Sequence, residues 1–222
     1  MTAYIFCFSR VLNKEKIKLP APGEKGVICI AADSGAETAF SLGVVPDVII
    51  GDFDSADYFD CGFENIKKIR HPARKNDTDS LLAIKYALDS GFLDVALIGG
   101  LEARLDHTLA NLRYLKYIKK RGGYTGYITN GYNKVTYLEN SSVKIYKNYK
   151  YISVLPISPK IRGVKLTGFK YPLEGAEVGF EEPYTVCNEI AENFEYGEIS
   201  ISDGEAFVCE CDERECDEQN QI

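Results

Sequence analysis

The sequence predicts an N-terminal parallel-sheet α/β domain followed by a C-terminal all-β sandwich domain, and two observations carry that expectation. Up to about residue 130, short apolar runs alternate with helical periodicity, the pattern of parallel strands joined by crossover helices. After Asn130-Gly131, short β-rich runs are separated by Gly, Pro and Asn with no helical period, a spacing suited to a sandwich or barrel. The expected domains are therefore 1–130 and 131–222.

In the first domain, strands are expected at Tyr4 to Phe8, Val27 to Ala32, Val48 to Gly51, Lys67 to Arg70, Val95 to Ile98 and Tyr124 to Thr129. Leu81, Ile84 and Leu88 repeat at the spacing of one helix face. Leu105, Leu109, Leu112 and Leu115 do the same, so both sets predict amphipathic helices with those residues toward the core. In the second domain the strands are Lys134 to Leu138, Val143 to Tyr146, Tyr151 to Leu155, Val164 to Thr167, Tyr184 to Asn188, Glu198 to Ile201 and Ala206 to Cys211. The acidic, polar stretch Asp212 to Ile222 is expected to fray.

Composition narrows the function classes. The chain has 222 residues, 45% of them hydrophobic, and a formal charge of -7. That balance argues against nucleic acid, whose binding draws on Lys and Arg neutralising phosphates. No basic leader or run of about eighteen apolar residues is present, so a cytoplasmic protein that does not span a membrane is expected. The seven cysteines are scattered rather than arranged as a secreted disulfide framework. Cys209, Cys211 and Cys216 cluster without a nearby His, short of a tetrahedral zinc set.

The acidic residues carry the chemistry. Gly51-Asp52-Phe53-Asp54-Ser55 follows the apolar run Val48-Ile49-Ile50, at the C-terminal end of a parallel strand, where open α/β sheets place ligands. In an extended chain Asp52 and Asp54 project to one face and Phe53 to the other. Two carboxylates on one side call for a cation between them, and Mg²⁺ suits carboxylate and phosphate oxygens; turn chemistry is the competing account. Asn76-Asp77-Thr78-Asp79 precedes the next helix and sets a second acidic pair, Asp77 and Asp79, at its N-terminus, which shifts the balance toward the metal reading. Asn76 or Asp77 can cap and acidic residues in a first turn favour the macrodipole, which accounts for at least one of the two but not for the match between the pairs. On the third helix Arg104, His107 and Asn111 form a polar stripe able to face a ligand, with Arg104 suited to holding phosphate bidentately. Arg70, Arg74 and Lys75 lie close in sequence to these motifs and can add positive charge. The chain has neither a G-x-x-x-x-G-K-[ST] phosphate loop nor a G-x-G-x-x-G dinucleotide fingerprint.

These blocks together resemble the thiamine pyrophosphokinase family over nearly the whole chain. Ala32-Asp33-Ser34-Gly35-Ala36 is similar to its A-D-G-G-A turn, and Pro46 to Ser55 to its P-D-x-I-I-G-D-F-D-S block. Lys75-Asn76-Asp77-Thr78-Asp79 resembles K-D-x-T-D, and Arg104 to Asn111 matches R-L-D-H-T-L-A-N. Gly163 to Leu173 looks like the signature of the family's second domain. Departures stand at Ser34 and Asn76, at Glu102-Ala103 in place of a double glycine, and at Cys187-Asn188-Glu189 in place of the S-N block. The chain also has no Trp where the family often offers an aromatic near thiamine, a place Tyr171 can take.

The resemblance implies transfer of an intact diphosphate from ATP to thiamine, with Mg²⁺ as cofactor. It implies that Asp52, Asp54 and Asp79 hold the metal, with Arg104 and Asp106 completing the catalytic set and Asp106 toward the thiamine. Asp33, Asp77, Thr78, His107, Asn111, Cys187 and Asn188 are the implied ligand-binding positions. It further implies a nucleotide-binding first domain, a thiamine-binding second domain and a homodimer joined through the β domains, with thiamine between subunits. The alternatives are a related diphosphokinase acting on another heterocyclic alcohol such as a hydroxymethylpterin, a non-catalytic nucleotide or thiamine diphosphate binder, and, more weakly, a metal-dependent phosphoesterase.

Overall fold

The computed structural model describes residues 1–53, 66–72, 76–101 and 104–213. Met1–Gly131 and Tyr132–Ile222 form two compact units.

The first unit is built on six parallel strands, β1 (Thr2–Phe6), β2 (Val27–Ala32), β3 (Val48–Gly51), β4 (Lys67–Arg70), β5 (Asp94–Ile98) and β6 (Thr125–Thr129), in the order β4-β3-β2-β1-β5-β6. Helices α1 (Gly35–Ser41), α2 (Asp79–Asp89) and α3 (Leu105–Lys120) connect or flank them. Strands covered on both faces read as unbroken apolar runs, and Ala3 to Phe6, Ile49 and Ile50, and Val95 to Ile98 are all buried. The edge strand β4 carries Lys67, Lys68 and Arg70, charges that discourage pairing with another chain. The first strand ends at Phe6 rather than Phe8. Cys7 N–H still bonds the Ile98 carbonyl, but Phe8 is exposed.

Helix α3 is rotated from the expected orientation. Leu115 is buried, but Leu105 and Leu109 are 75% and 53% exposed, and the buried face consists of Asn111, Leu115 and Ile118. The reason is polar: the Asn111 amide donates to the Gly100 carbonyl at 3.0 Å, and a buried carbonyl needs such a partner. On α2 the expected face holds, with Ile84 and Leu88 buried beside Ala83 and Ala87.

The second unit contains β7 (Asn133–Glu139), β8 (Ser142–Tyr146), β9 (Tyr151–Pro156), β10 (Lys160–Thr167), β11 (Leu173–Gly179), β12 (Tyr196–Ser200) and β13 (Glu205–Cys211). Antiparallel β7-β13-β9 form one layer and antiparallel β11-β10-β12-β8 the other. Alternate residues of the two layers, among them Ile152, Val154, Ala206 and Val208 from the first and Ile161, Val164, Leu166 and Ile199 from the second, make one core, as in a β-sandwich.

Two elements of this unit differ from expectation. Tyr184 to Asn188 is not a regular strand but a bulged edge to β9: Thr185 and Asn188 bond Val154 and Ile152, leaving two residues opposite Ser153. Cys187 adopts φ 58°, and its N–H is satisfied by the Ser153 hydroxyl at 3.0 Å. Strand β11, with Glu174, Gly175 and Glu177, has little β propensity and was not expected. It is held by pairing with β10 and by ion pairs from Lys160, Arg162 and Lys165, so tertiary context overrides local preference. No helix among the described residues is long and apolar enough to cross a membrane.

Candidate active site

In the first unit, β2, β3 and β4 lie on one side of β1 while β5 and β6 lie on the other. Ligands of open α/β sheets bind at such a switch point, beyond the carboxyl ends of the strands. A cavity of about 410 Å³ lies there. Cys7 and Phe8 enter it after β1, Asp33 and Ser34 after β2, and Gly100 after β5. Thr78 to Ser80 contribute from the start of α2, and Arg104, His107 and Asn111 from α3.

The carboxylate end is shaped by close backbone packing. Asp33 has φ 49°, which Asp tolerates better than most residues, and its N–H bonds the Ile50 carbonyl at 2.8 Å. Its side chain lies against Gly51, where an added Cβ would come within 2.9 Å of Asp33 Oδ1. The glycine before Asp52 is thus a packing requirement. Ser34, at φ -61°, sits in ordinary helical backbone, so no strain asks for the glycine it replaces. Asp52 follows β3 and is half-buried, and Asp54 lies outside the described residues. Phe53 is buried with φ 57°, so the chain is not extended at Phe53, the condition on which the expected alternation rested. Arg70 places its guanidinium 5.8 Å from the centre of the Phe53 ring; Arg74 and Lys75 are outside the described residues.

At α2 the cap is Thr78, not Asn76 or Asp77. Thr78 has extended backbone and its hydroxyl accepts from Leu81 N–H. Asp79 is therefore the first helical residue and faces the cavity. Asp77 turns instead to an ion pair with Lys85 one helical stretch away. The Thr78 hydroxyl also shares a 2.8 Å hydrogen bond with Tyr114 of α3.

At α3, Arg104 holds both oxygens of Asp106, from Nε at 3.1 Å and Nη2 at 2.6 Å. Asp106 Oδ1 accepts again from His107 N–H at 3.0 Å. The bond from Arg104, with help from His107 N–H, holds the Asp106 carboxyl below its usual pKa. Asn111 is 5% exposed, and with its amide nitrogen given to Gly100 it fixes the turn after β5. The buried Ser9 hydroxyl accepts from Gly100 N–H at 2.6 Å and fixes the same turn from the other side.

Asp33, Asp52 and Asp79 are oxygen donors of the type a hard divalent cation takes. Among the described residues no three His, Cys, Asp or Glu side chains converge as a metal-binding group, and Asp54 is not among them.

A family model for the thiamin pyrophosphokinase catalytic domain matches residues 24–124, and one for the thiamin pyrophosphokinase vitamin B1 binding domain matches residues 140–204. The chain belongs to the thiamin pyrophosphokinase family. The thiamine pyrophosphokinase of Bacillus subtilis is 29% identical over 179 residues, covering 75% of this chain and 80% of that one. Among solved structures, thiamine pyrophosphokinase from Bacillus subtilis superposes with TM-score 0.82 at 24% identity, covering 96% of this chain and all of that one. Yeast thiamin pyrophosphokinase superposes with TM-score 0.66 at 14% identity, covering 95% and 86%. These structural likenesses carry the α/β plus β-sandwich fold.

Within the segment matched to the vitamin B1 binding domain of a thiamin pyrophosphokinase, Cys187 is exposed on the bulge. Asn188 is buried and committed to backbone: its amide donates to the Tyr171 carbonyl at 2.8 Å and accepts from Tyr171 and Glu189 N–H. It ties the bulge to the turn that exposes the Tyr171 ring. Sequence reasoning missed Cys7, Phe8, Ser9 and Tyr114. Only Tyr114 left a signal, since it extends the polar stripe of α3 by one further helical step.

Proposed function

We propose that this chain transfers the intact diphosphate of ATP to the hydroxyethyl oxygen of thiamine, giving thiamine diphosphate and AMP. The observation that carries the reading is the cavity at the strand switch point, where Asp33, Asp79 and Arg104 meet from three blocks far apart in sequence. Family membership supplies the reaction those groups suit.

Attack on the β-phosphorus needs charge neutralisation and in-line positioning more than covalent help. In this reading Asp52, Asp54 and Asp79 hold Mg²⁺, which would neutralise the phosphate oxygens when bound. Arg104 keeps one guanidinium edge on Asp106 and turns the remainder to phosphate, so one side chain orients both. Asp106 positions that guanidinium on the side toward thiamine. The turn held by Ser9 and Asn111 lets the Gly100 backbone stand close to the nucleotide. In the β unit, Cys187 and Asn188 shape the thiamine side, Asn188 by fixing the loop. Exposed Tyr171, Phe180, Tyr184 and Phe194 support a homodimer formed through β units, and the reaction's need for ATP suits the cytoplasm.

Incubating purified protein with ATP, Mg²⁺ and thiamine tests the reading. AMP and thiamine diphosphate in equal amounts are expected; ADP as the sole nucleotide product, or no turnover with thiamine, would overturn it.

A further inference from the structure

The face of α3 that reaches the cavity carries His107 and Asn111, and a further step of three residues along the same face brings Tyr114, since a spacing of seven returns a helix nearly to its starting direction. Tyr114 does not line the cavity. Its hydroxyl meets Thr78 Oγ1 at 2.8 Å, and that same oxygen accepts from Leu81 N–H at 3.3 Å to cap α2. One hydroxyl group therefore closes the first turn of the helix that begins with Asp79 and also ties it to the helix that begins beside Arg104.

We propose that Tyr114 is a positioning residue: through Thr78 it sets the separation between Asp79, on the carboxylate side of the cavity, and Arg104, on the cationic side. The proposal rests on the phosphoryl-transfer reading of this cavity. A ligand bearing several phosphate oxygens must touch both sides together, so its binding depends on that separation. Each helix also has its own anchor, Ser80 of α2 on Cys7 and Asn111 of α3 on the Gly100 carbonyl, and the Thr78–Tyr114 bond joins the two helices directly. The hydroxyl is replaceable without loss of packing, because phenylalanine keeps the ring.

Calorimetric titration with ATP and Mg²⁺, without thiamine, tests this independently of the acceptor. Tyr114→Phe is expected to weaken binding about three- to tenfold, the range of one neutral hydrogen bond, and to raise the KM for ATP similarly. The turnover number should change less, and the melting temperature should fall by no more than about 2–4 °C, the shift expected from one neutral hydrogen bond. In a Thr78→Val background, the Tyr114→Phe change should add nothing further, because its effect passes through Thr78. Unchanged affinity in Tyr114→Phe, or the same loss on top of Thr78→Val, would overturn the proposal, as would a fall in melting temperature with affinity and KM intact. Failure of the wild-type protein to make thiamine diphosphate would instead sink the proposed reaction and leave the ATP-binding comparison standing.

Discussion

Arg104 grips both carboxylate oxygens of Asp106, two residues along the chain, and His107 N–H adds a third bond to the same group. A carboxylate so occupied is held ionised: its pKa lies below the usual range, with the Arg104 hydrogen bond as the largest cause. A group with a depressed folded-state pKa contributes its stabilisation above the unfolded value and loses it as pH falls through the lowered one. Between about pH 5 and 9 Asp106 therefore does not titrate. The expected result is that Asp106→Asn lowers the rate without moving the midpoint of the acid limb in a pH profile of kcat/KM. A limb that moves or vanishes in this variant would assign Asp106 the proton-accepting role instead.

Gly100 is held at φ 75°, and a Cβ there would lie 2.6 Å from Asn111 Nδ2. Gly100→Ala thus places an L side chain in left-handed backbone and pushes Asn111 from the carbonyl it satisfies. The combined cost is on the order of 2 to 4 kcal/mol. Thermal denaturation should show a clear drop in melting temperature, with loss of ATP binding measured below that temperature. A variant as stable as the parent would mean the turn relaxes freely.

How far these features were legible depends on whether one local signal decided them. Val27 to Ala32 and Val48 to Gly51 emerge with the expected bounds, because short apolar runs between turns admit one reading; Lys67 to Arg70 does so as well, although Ile69 is the one apolar residue of its four. The start of α2 was ambiguous because three capping residues, Asn76, Asp77 and Thr78, stand in a row, and backbone geometry chose among them. Helix α3 carries leucine on more than one face, so its rotation followed from the carbonyl that Asn111 satisfies, a contact invisible in a linear pattern. The bulge at Cys187 hid for the same reason: Tyr184 to Asn188 has strand-like composition, while the hydroxyl that supports the bulge belongs to Ser153, more than thirty residues earlier. The acidic blocks around the cavity were legible as motifs. Their convergence needed the strand order.

Thiol chemistry should separate the cysteines by burial. Burial pushes Cys7 and Cys29 up to about 11 and Cys209 to about 12, and it raises Cys211 as well, with Asp212 adding to the effect. Cys187 is exposed on the bulge. The thiolate is the reactive form, so brief iodoacetamide treatment at pH 8 should label Cys187 first among these five. Peptide mass spectrometry reads the order directly. Faster labelling of Cys209 would show that the face of β13 carrying it opens in solution.

Two aspartates two residues apart should behave differently, because their side chains take different directions from the start of α2. Asp79 faces the cavity as the first helical residue, whereas Asp77 is paired with Lys85 and both members of that pair are about one-third exposed. Partly exposed ion pairs contribute little, about 0 to 1 kcal/mol. Replacing Asp79 by Asn keeps the side-chain shape and the Thr78 cap, and forgoes a first-turn charge effect of about 0.3 to 1 kcal/mol. The melting temperature should therefore move little in either variant. Turnover should fall by about a hundredfold or more in Asp79→Asn if its carboxylate holds Mg²⁺ on the nucleotide, with a matching rise in the Mg²⁺ concentration needed for half-maximal rate. Asp77→Asn should lose far less, since its carboxylate is paired with Lys85 and does not line the cavity. Steady-state assays across an Mg²⁺ series distinguish the two, and equal losses with unchanged Mg²⁺ dependence would remove Asp79 from the metal set.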